Sequence, residues 1–129
     1  MTMKHAFLIM AHGSLPLLRV LLSMLDDERN DIFLHIDRKS DMLDGAEPLV
    51  LSKARLFLLE QRVDVRWGNL SQIKAEYVLF EEALKHGPYA YYHLLSGQDL
   101  PIKSQDYIHQ FFEEHQGKEF VGINYGEEF

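Results

Sequence analysis

The run His5-Ala-Phe-Leu-Ile-Met-Ala11 places apolar side chains at consecutive positions, with no polar alternation after His5. In a strand, neighbouring side chains point to opposite faces, so this run is apolar on both and needs cover on both. A strand of that kind belongs at the centre of a parallel sheet with helices on each side. The residues that follow agree. Ser14 is suited to cap a helix, Pro16 falls in its first turn, and Leu18, Leu21, Leu22 and Leu25 keep i, i+3, i+4, i+7 spacing. Asp26, Asp27 and Glu28 crowd the negative end of that helix dipole, which predicts early fraying.

The alternation of short apolar runs with helical periods continues, and it predicts an α/β fold with a mostly parallel sheet. Ile32 to Ile36 reads as a second strand and Asp41 to Pro48 as an irregular loop. Leu56 to Leu59 and Val63 to Trp67 read as short strands. A helix follows with Leu70, Ile73, Tyr77, Phe80 and Leu84 on one face, an Asn69/Gln72 capping box at its start and His86-Gly87-Pro88 at its end. Gly87 is expected to take a left-handed cap there. Tyr89 to Leu95 forms another strand. Ser104 caps a helix with Tyr107, Ile108, Phe111 and Phe112 inside and Gly117 as terminator, and Phe120 to Ile123 begins one more strand.

Composition narrows the function. A chain of 129 residues is about one domain, and 47% hydrophobic with 26% charged residues is a globular balance. Cysteine is absent, which removes thiol catalysis, thiolate metal sites and disulfides, and fits a reducing compartment. The net charge of −7 is opposite to what duplex binding requires, so no nucleic-acid partner is expected. No apolar stretch approaches the ~20 residues of a membrane span, and the N-terminus lacks a cleavage site, so it reads as a strand and not as a signal peptide.

Polar clusters follow the carboxyl ends of the predicted strands: His12-Gly13, His35-Ile-Asp-Arg38, Trp67-Gly-Asn69 and Ser96-Gly-Gln-Asp99. In an open parallel sheet those ends share one rim, where ligands bind. Neither a dinucleotide-type glycine fingerprint nor a P-loop is present, and no two aspartates stand at i, i+2. Asp37 is placed to accept hydrogen bonds from a ribose or base, against a solvated Asp held by Arg38 or Lys39. Asp99 is a presented carboxylate or a turn former, and Trp67 a stacking platform or a core residue. His35 and Asp37 share a strand face and could form a metal pair, although a hydrogen-bonded buried His is the commoner outcome. Ser96 lacks the nucleophile elbow of a hydrolase.

Taken in order, Phe7-Leu-Ile-Met-Ala-His12, Ile32-Phe-Leu-His-Ile-Asp-Arg-Lys-Ser40, Val65-Arg-Trp-Gly-Asn-Leu-Ser-Gln72 and Tyr92-His-Leu-Leu-Ser-Gly-Gln-Asp-Leu-Pro-Ile-Lys-Ser104 resemble the core-2/I-branching glycosyltransferases. The last stretch is the most specific, and the resemblance runs from about Lys4 to Ile123. It implies a GT-A-like (Rossmann-like) sheet flanked by helices. It also implies an inverting transfer from a UDP-sugar of the N-acetylglucosamine or xylose class, with no metal or other cofactor. The partners are then the UDP-sugar and a glycan or glycolipid acceptor, in cell-surface or exopolysaccharide synthesis. By the same resemblance His12, Asp37 and Arg38 hold the nucleotide, while Trp67, Gly68, Ser96, Gln98 and Asp99 border the donor sugar or acceptor. The family's catalytic base and diphosphate-binding cations lie further along the chain than Phe129. Residues 1–129 are therefore expected to be one nucleotide-sugar-binding domain, the N-terminal part of a longer enzyme, inactive alone. The lack of Cys and of an anchor points to a bacterial cytoplasmic enzyme, peripheral at the inner membrane face through its acceptor. The alternatives are a metal-dependent phosphoesterase using His12, His35, Asp37 and Asp99, and a non-catalytic nucleotide-binding module.

Overall fold

The structure, a computed structural model, describes residues 3–66, 70–97, 99–101 and 103–115. Among the described residues seven elements follow one another: β1 (His5–Ala11), α1 (Leu15–Leu25), β2 (Asn30–Ile36), β3 (Arg55–Leu58), α2 (Leu70–His86), β4 (Tyr91–Ser96) and α3 (Gln105–Glu114). The four strands form one sheet in the order β3-β2-β1-β4, and every pairing is parallel. The expected fold class and the central position of β1 both hold. No helix among the described residues is long and apolar enough to cross a membrane.

Each sheet face has its own core. Phe7, Ile9, Ala11, Ile32, Leu34 and Ile36 point one way and meet the α1 stripe Leu18, Leu21, Leu22 and Leu25. Ala6, Leu8 and Phe33 point the other way and meet α2. Ser14 caps α1 as expected, its hydroxyl accepting from the Leu17 amide at 3.2 Å. The acids after α1 find partners instead of only opposing its dipole. The Asp26 carboxylate accepts from the amides of Ser52, Lys53 and Ala54 and from the Ser52 hydroxyl, which ties the start of β3 to the end of α1. Asp27 is clamped by Arg29 at 2.7 Å.

Three expectations need correction. The first is the buried face of α2, which is Ala75, Val78, Leu79 and Ala83. The expected stripe Leu70, Ile73, Tyr77, Phe80 and Leu84 is exposed, Leu70 at 79% and Ile73 at 60%. Alanines at two contact positions let the helix backbone approach the sheet, and the bulkier residues stay on the outward side. The second is Val63 to Trp67: residues 61–66 join no ladder, and Trp67 lies outside the described residues. The third is Gly87, which has no positive φ; α2 ends there ahead of a cis Gly87–Pro88 bond. The Asn69 cap, the Gly117 terminator and the strand from Phe120 to Ile123 also lie outside the described residues.

α3 departs from expectation as well: its buried residue is His109, Ile108, Phe111 and Phe112 are half-buried, and Tyr107, expected inside, is exposed. His109 belongs to a cluster under the amino-terminal half of the sheet. Its Nε2 meets Asn30 Oδ1 at 2.8 Å, and its ring centroid is 4.0 Å from that of His5. His5 Nδ1 is in turn 2.9 Å from His93 Nε2. Phe112 closes the cluster against His5 and His93. Burial, then the neighbouring His109, His93 and Arg29 charges, pushes His5 down to about 3. Burial and His109 push His93 down to about 4, and burial together with Arg29 lowers His109 despite the Asp27 and Asp106 charges. These imidazoles pack as neutral groups.

Two outcomes follow. Leu79→Ala should cost ~2–5 kcal/mol in urea denaturation, as a cavity in a packed core does, while Ile73→Ala should fall within ~0.5 kcal/mol of wild type. If Ile73→Ala is the costlier change, the orientation of α2 is wrong. The histidines set a pH dependence. Their unfolded pKa is about 6.5, above the folded values, so the unfolded chain binds more protons between about pH 4 and 6.5. Stability is full above that window and is lost as pH falls through it. The urea midpoint should therefore drop from pH 7 to pH 5, and His93→Gln should flatten the drop. A midpoint constant across that range would contradict a neutral cluster.

Candidate functional site

The carboxyl ends of β1, β2 and β4 finish level, because Ala11 pairs with Ile36 and Met10 with Ser96. Two backbone bonds extend this register past the strands. The Asp37 amide donates to the Ala11 carbonyl at 2.9 Å, and the Gly97 amide to the Met10 carbonyl at 2.8 Å. Gly97 is required by that closeness, since a Cβ there would come within 2.8 Å of the Ala11 Cβ. Strand order reverses beside β1, with β2 on one side and β4 on the other. A crevice over the carboxyl ends is where such sheets take ligands. His12 stands exposed at its β1 side, and Ser96 half-buried at its β4 side.

Asp37 organises the β2 side. Its carboxylate is buried, accepts from the Lys39 amide at 3.0 Å and the Val65 amide at 3.3 Å, and pairs with Lys39 Nζ at 3.0 Å. Burial pushes this carboxyl up, but the Lys39 amide and ammonium and the Val65 amide outweigh it and hold the pKa below the usual carboxylate range. The partner is Lys39; Arg38 is exposed, makes no ion pair with Asp37, and its amide donates to the Val63 carbonyl at 3.1 Å. Lys39 Nζ also reaches Asp64 at 2.8 Å and the Val65 carbonyl.

The same contacts explain why residues 61–66 form no strand. Val63 donates its amide to His35 Nε2 at 2.8 Å, and Val65 donates to Asp37. Arg62 spans the gap with its guanidinium donating to the carbonyls of Ile36 (3.0 Å), Asp37 (2.8 Å) and Ser40 (2.7 Å). Side chains at the end of β2 thus satisfy backbone groups that a ladder would otherwise use. The Val63–Val65 alternation arises because both are turned inward.

These bonds also decide the candidate roles. With Nε2 accepting from Val63, His35 carries its proton on Nδ1, which is buried and has no partner among the described residues. Its Nε2 lone pair is therefore committed, and among the described residues no group of three or more His, Asp or Glu side chains could hold a metal ion. The set His12, His35, Asp37 and Asp99 does not form a metal centre. Asp99 closes a turn: its amide donates to the Ser96 carbonyl at 3.0 Å and its carboxylate accepts from the Ser96 amide at 2.8 Å. Trp67, Gly68 and Gln98 lie outside the described residues. Lys39 is one of the two partners the sequence offers for Asp37, whereas sequence reasoning missed Arg62 and Asp64, which complete the β2 side of the rim. The signal was the recurrence of cations at Arg62 and Arg66 soon after Arg38-Lys39 in an otherwise acidic chain. A larger groove of about 700 Å³ runs between the edge strand β3 and α2, lined by Leu56, Leu58, Glu81 and Glu82. It contains none of the rim residues.

With this geometry in place, comparison with known proteins gives two findings. The family model described as Core-2/I-Branching enzyme matches residues 5–128, a span that holds all seven elements and the whole rim. No curated protein matches the chain. A match of this length, on a parallel α/β sheet with its polar residues gathered at the carboxyl rim, is conclusive for the family. The chain belongs to the Core-2/I-Branching enzyme family, which consists of glycosyltransferases that act on nucleotide-sugar donors and glycan acceptors.

Proposed function

We propose that this chain forms the donor-nucleotide side of an inverting glycosyltransferase. The donor is a UDP-sugar of the N-acetylglucosamine or xylose class, used without a metal ion, and the acceptor is a hydroxyl on a glycan or glycolipid of the cell surface or an exopolysaccharide. The carrying observation is Asp37, a buried carboxylate at the carboxyl end of β2, beside the crevice where strand order reverses. Its pKa is held below the usual range, so it is charged at neutral pH. A uridine hydroxyl or N–H donating to it makes a charge-assisted bond, shorter and stronger than a neutral one. His12 and Arg38 flank the same end of the sheet and supply contacts to the base and to the anionic part of the nucleotide. Ser96 and the turn closed by Asp99 border the sugar, with Trp67, Gly68 and Gln98 assigned to that side by the sequence motifs. In this reading a base deprotonates the acceptor hydroxyl for in-line attack at the anomeric carbon, and charge on the departing UDP is stabilised electrostatically. The enzyme works in the cytoplasm, in contact with the inner membrane face through its acceptor.

The test compares Asp37→Asn with Asp41→Asn in UDP titrations followed by calorimetry. Both remove one negative charge, so any long-range gain for an anionic ligand is common to the two. Asp41 is exposed in the loop after β2, whereas Asp37 is buried at the rim. Loss of a charged hydrogen bond costs ~1.5–3 kcal/mol, so Asp37→Asn should weaken UDP roughly ten- to hundredfold and Asp41→Asn hardly at all. Asparagine still accepts through its carbonyl, so the bonds from the Lys39 and Val65 amides can persist, and a thermal melt checks that the rim is intact. Equal UDP affinity in two folded variants would make Asp37 purely structural. Transfer that stops in EDTA and returns with a divalent cation would overturn the metal-free reading.

A further inference from the structure

Of the twelve described Lys and Arg residues in this acidic protein, six have a carboxylate within ion-pair distance. Lys4 and Arg55 share Asp31, Arg29 pairs with Asp27, Lys39 with Asp37, Arg66 with Asp64 and Lys85 with Glu82. Three that do not are Arg38, Arg62 and Lys74, and they line one pocket of about 270 Å³ between the end of β2, the Gln61–Asp64 segment and the start of α2. Arg62 donates only to carbonyls, which leave its charge uncancelled. Neither the Arg38 guanidinium nor the Lys74 ammonium has a side-chain hydrogen bond or ion pair among the described residues. Asp64 also lines the pocket, but it is already taken by Lys39 at 2.8 Å and Arg66 at 3.4 Å. Counting Arg38, Lys39, Arg62, Arg66 and Lys74 against Asp37 and Asp64, the locality holds five cations and two carboxylates in a chain of net charge −7. The first turn of α2 adds no acid.

Three like charges converging on one concavity repel each other, and an anion between them removes that cost. We propose that the Arg38–Arg62–Lys74 pocket binds a phosphate-class oxyanion. Arginine offers a planar fork of donors that matches two oxygens of such a group, and lysine a mobile point charge. The volume lies just below the ~300 Å³ at which small-molecule pockets begin, enough for one or two phosphate groups and too small for a whole sugar nucleotide. The inference deepens the nucleotide contact proposed for Arg38 and is independent of the uridine reading of Asp37. The phosphate can be that of the donor nucleotide or that of a second phosphorylated molecule.

The experiment titrates the whole chain with inorganic pyrophosphate at low ionic strength, by calorimetry and by thermal melting. The proteins are wild type, the double variant Arg38→Gln/Lys74→Gln, and Lys53→Gln as a control. Lys53 is exposed and lies just ahead of β3, at the opposite end of the sheet. Wild type and Lys53→Gln should bind alike and be stabilised by pyrophosphate. The double variant should bind roughly ten- to hundredfold more weakly, as expected for lost charge-assisted bonds, and show no stabilisation. Added salt should weaken wild-type binding by screening. Competition by UDP would identify the donor phosphates as the source, and simultaneous binding a second phosphorylated compound; both support the pocket. A wild type that takes up no pyrophosphate overturns the proposal, as does a folded double variant that binds it equally well. Either result leaves the Asp37 comparison standing, and a failure of UDP to bind leaves this one standing.

Discussion

Everything in this molecule depends on β1 being hydrogen-bonded on both edges and covered on both faces. It pairs from His5 to Ala11 with β2 and from His5 to Met10 with β4, and Ala6, Leu8 and Ile9 are fully buried. A strand in that position is buried along nearly all of its length, with only Met10 half-buried, so polar groups gather where it begins and ends. α1 and α2 follow from the same constraint, since each apolar sheet face must be removed from solvent by an amphipathic partner. The ends of the strands are left as the places where charge can collect.

The two ends use charge differently, and two aspartates bracketing β2 show how. At the amino-terminal end Asp31 is wholly buried and saturated: Arg55 at 2.6 Å, Lys4 at 3.3 Å and the Tyr89 hydroxyl at 2.6 Å all converge on it. Burial raises its pKa, the three partners together lower it further, and the net direction is down. A buried ion cluster of this sort adds little net stability against an apolar replacement, but removing one partner strands the others. Its role is to tie β1, β2, β3 and the start of β4 into one register. At the carboxyl end Asp37 is equally well bonded, but Arg38, Arg62 and Lys74 stand near it with no carboxylate partner among the described residues. One end is a closed electrostatic unit and the other is open to an anion.

Much of this was legible in the sequence for a physical reason. Strand and helix periodicities are local properties, so β1, α1 with its Ser14 cap, and β2 could be placed from spacing alone. Asp37 could be assigned to the rim because a polar residue directly after a doubly apolar strand has nowhere else to go. The stripe on α2 was misread because that helix carries two apolar faces. Hydrophobic spacing favours the larger residues Leu70, Ile73, Tyr77, Phe80 and Leu84, whereas close packing on a sheet favours Ala75 and Ala83. His109 was missed because a histidine among aromatics gives no periodic signal; its burial depends on Asn30 and His5, 79 positions away for Asn30. Lys39 was legible as a partner of its near neighbour Asp37, whereas Arg62 was missed because it acts through backbone carbonyls that only folding brings near.

The sequence by itself determined the layered α/β class, the central strand, the motifs of the family and the end of the sheet at which polar residues gather. Those follow from apolar side-chain order and from residues adjacent in the chain. Tertiary structure decided which face of α2 is inside and that residues 61–66 bond to side chains instead of joining a ladder. It decided that His35 spends Nε2 on the Val63 amide and that Asp99 closes its own turn. It also decided that Arg38, Arg62 and Lys74 share one pocket without a counter-charge. Each of these depends on which donors, acceptors and charges stand within a few ångströms of one another, and that distance is fixed only once the strands are in register.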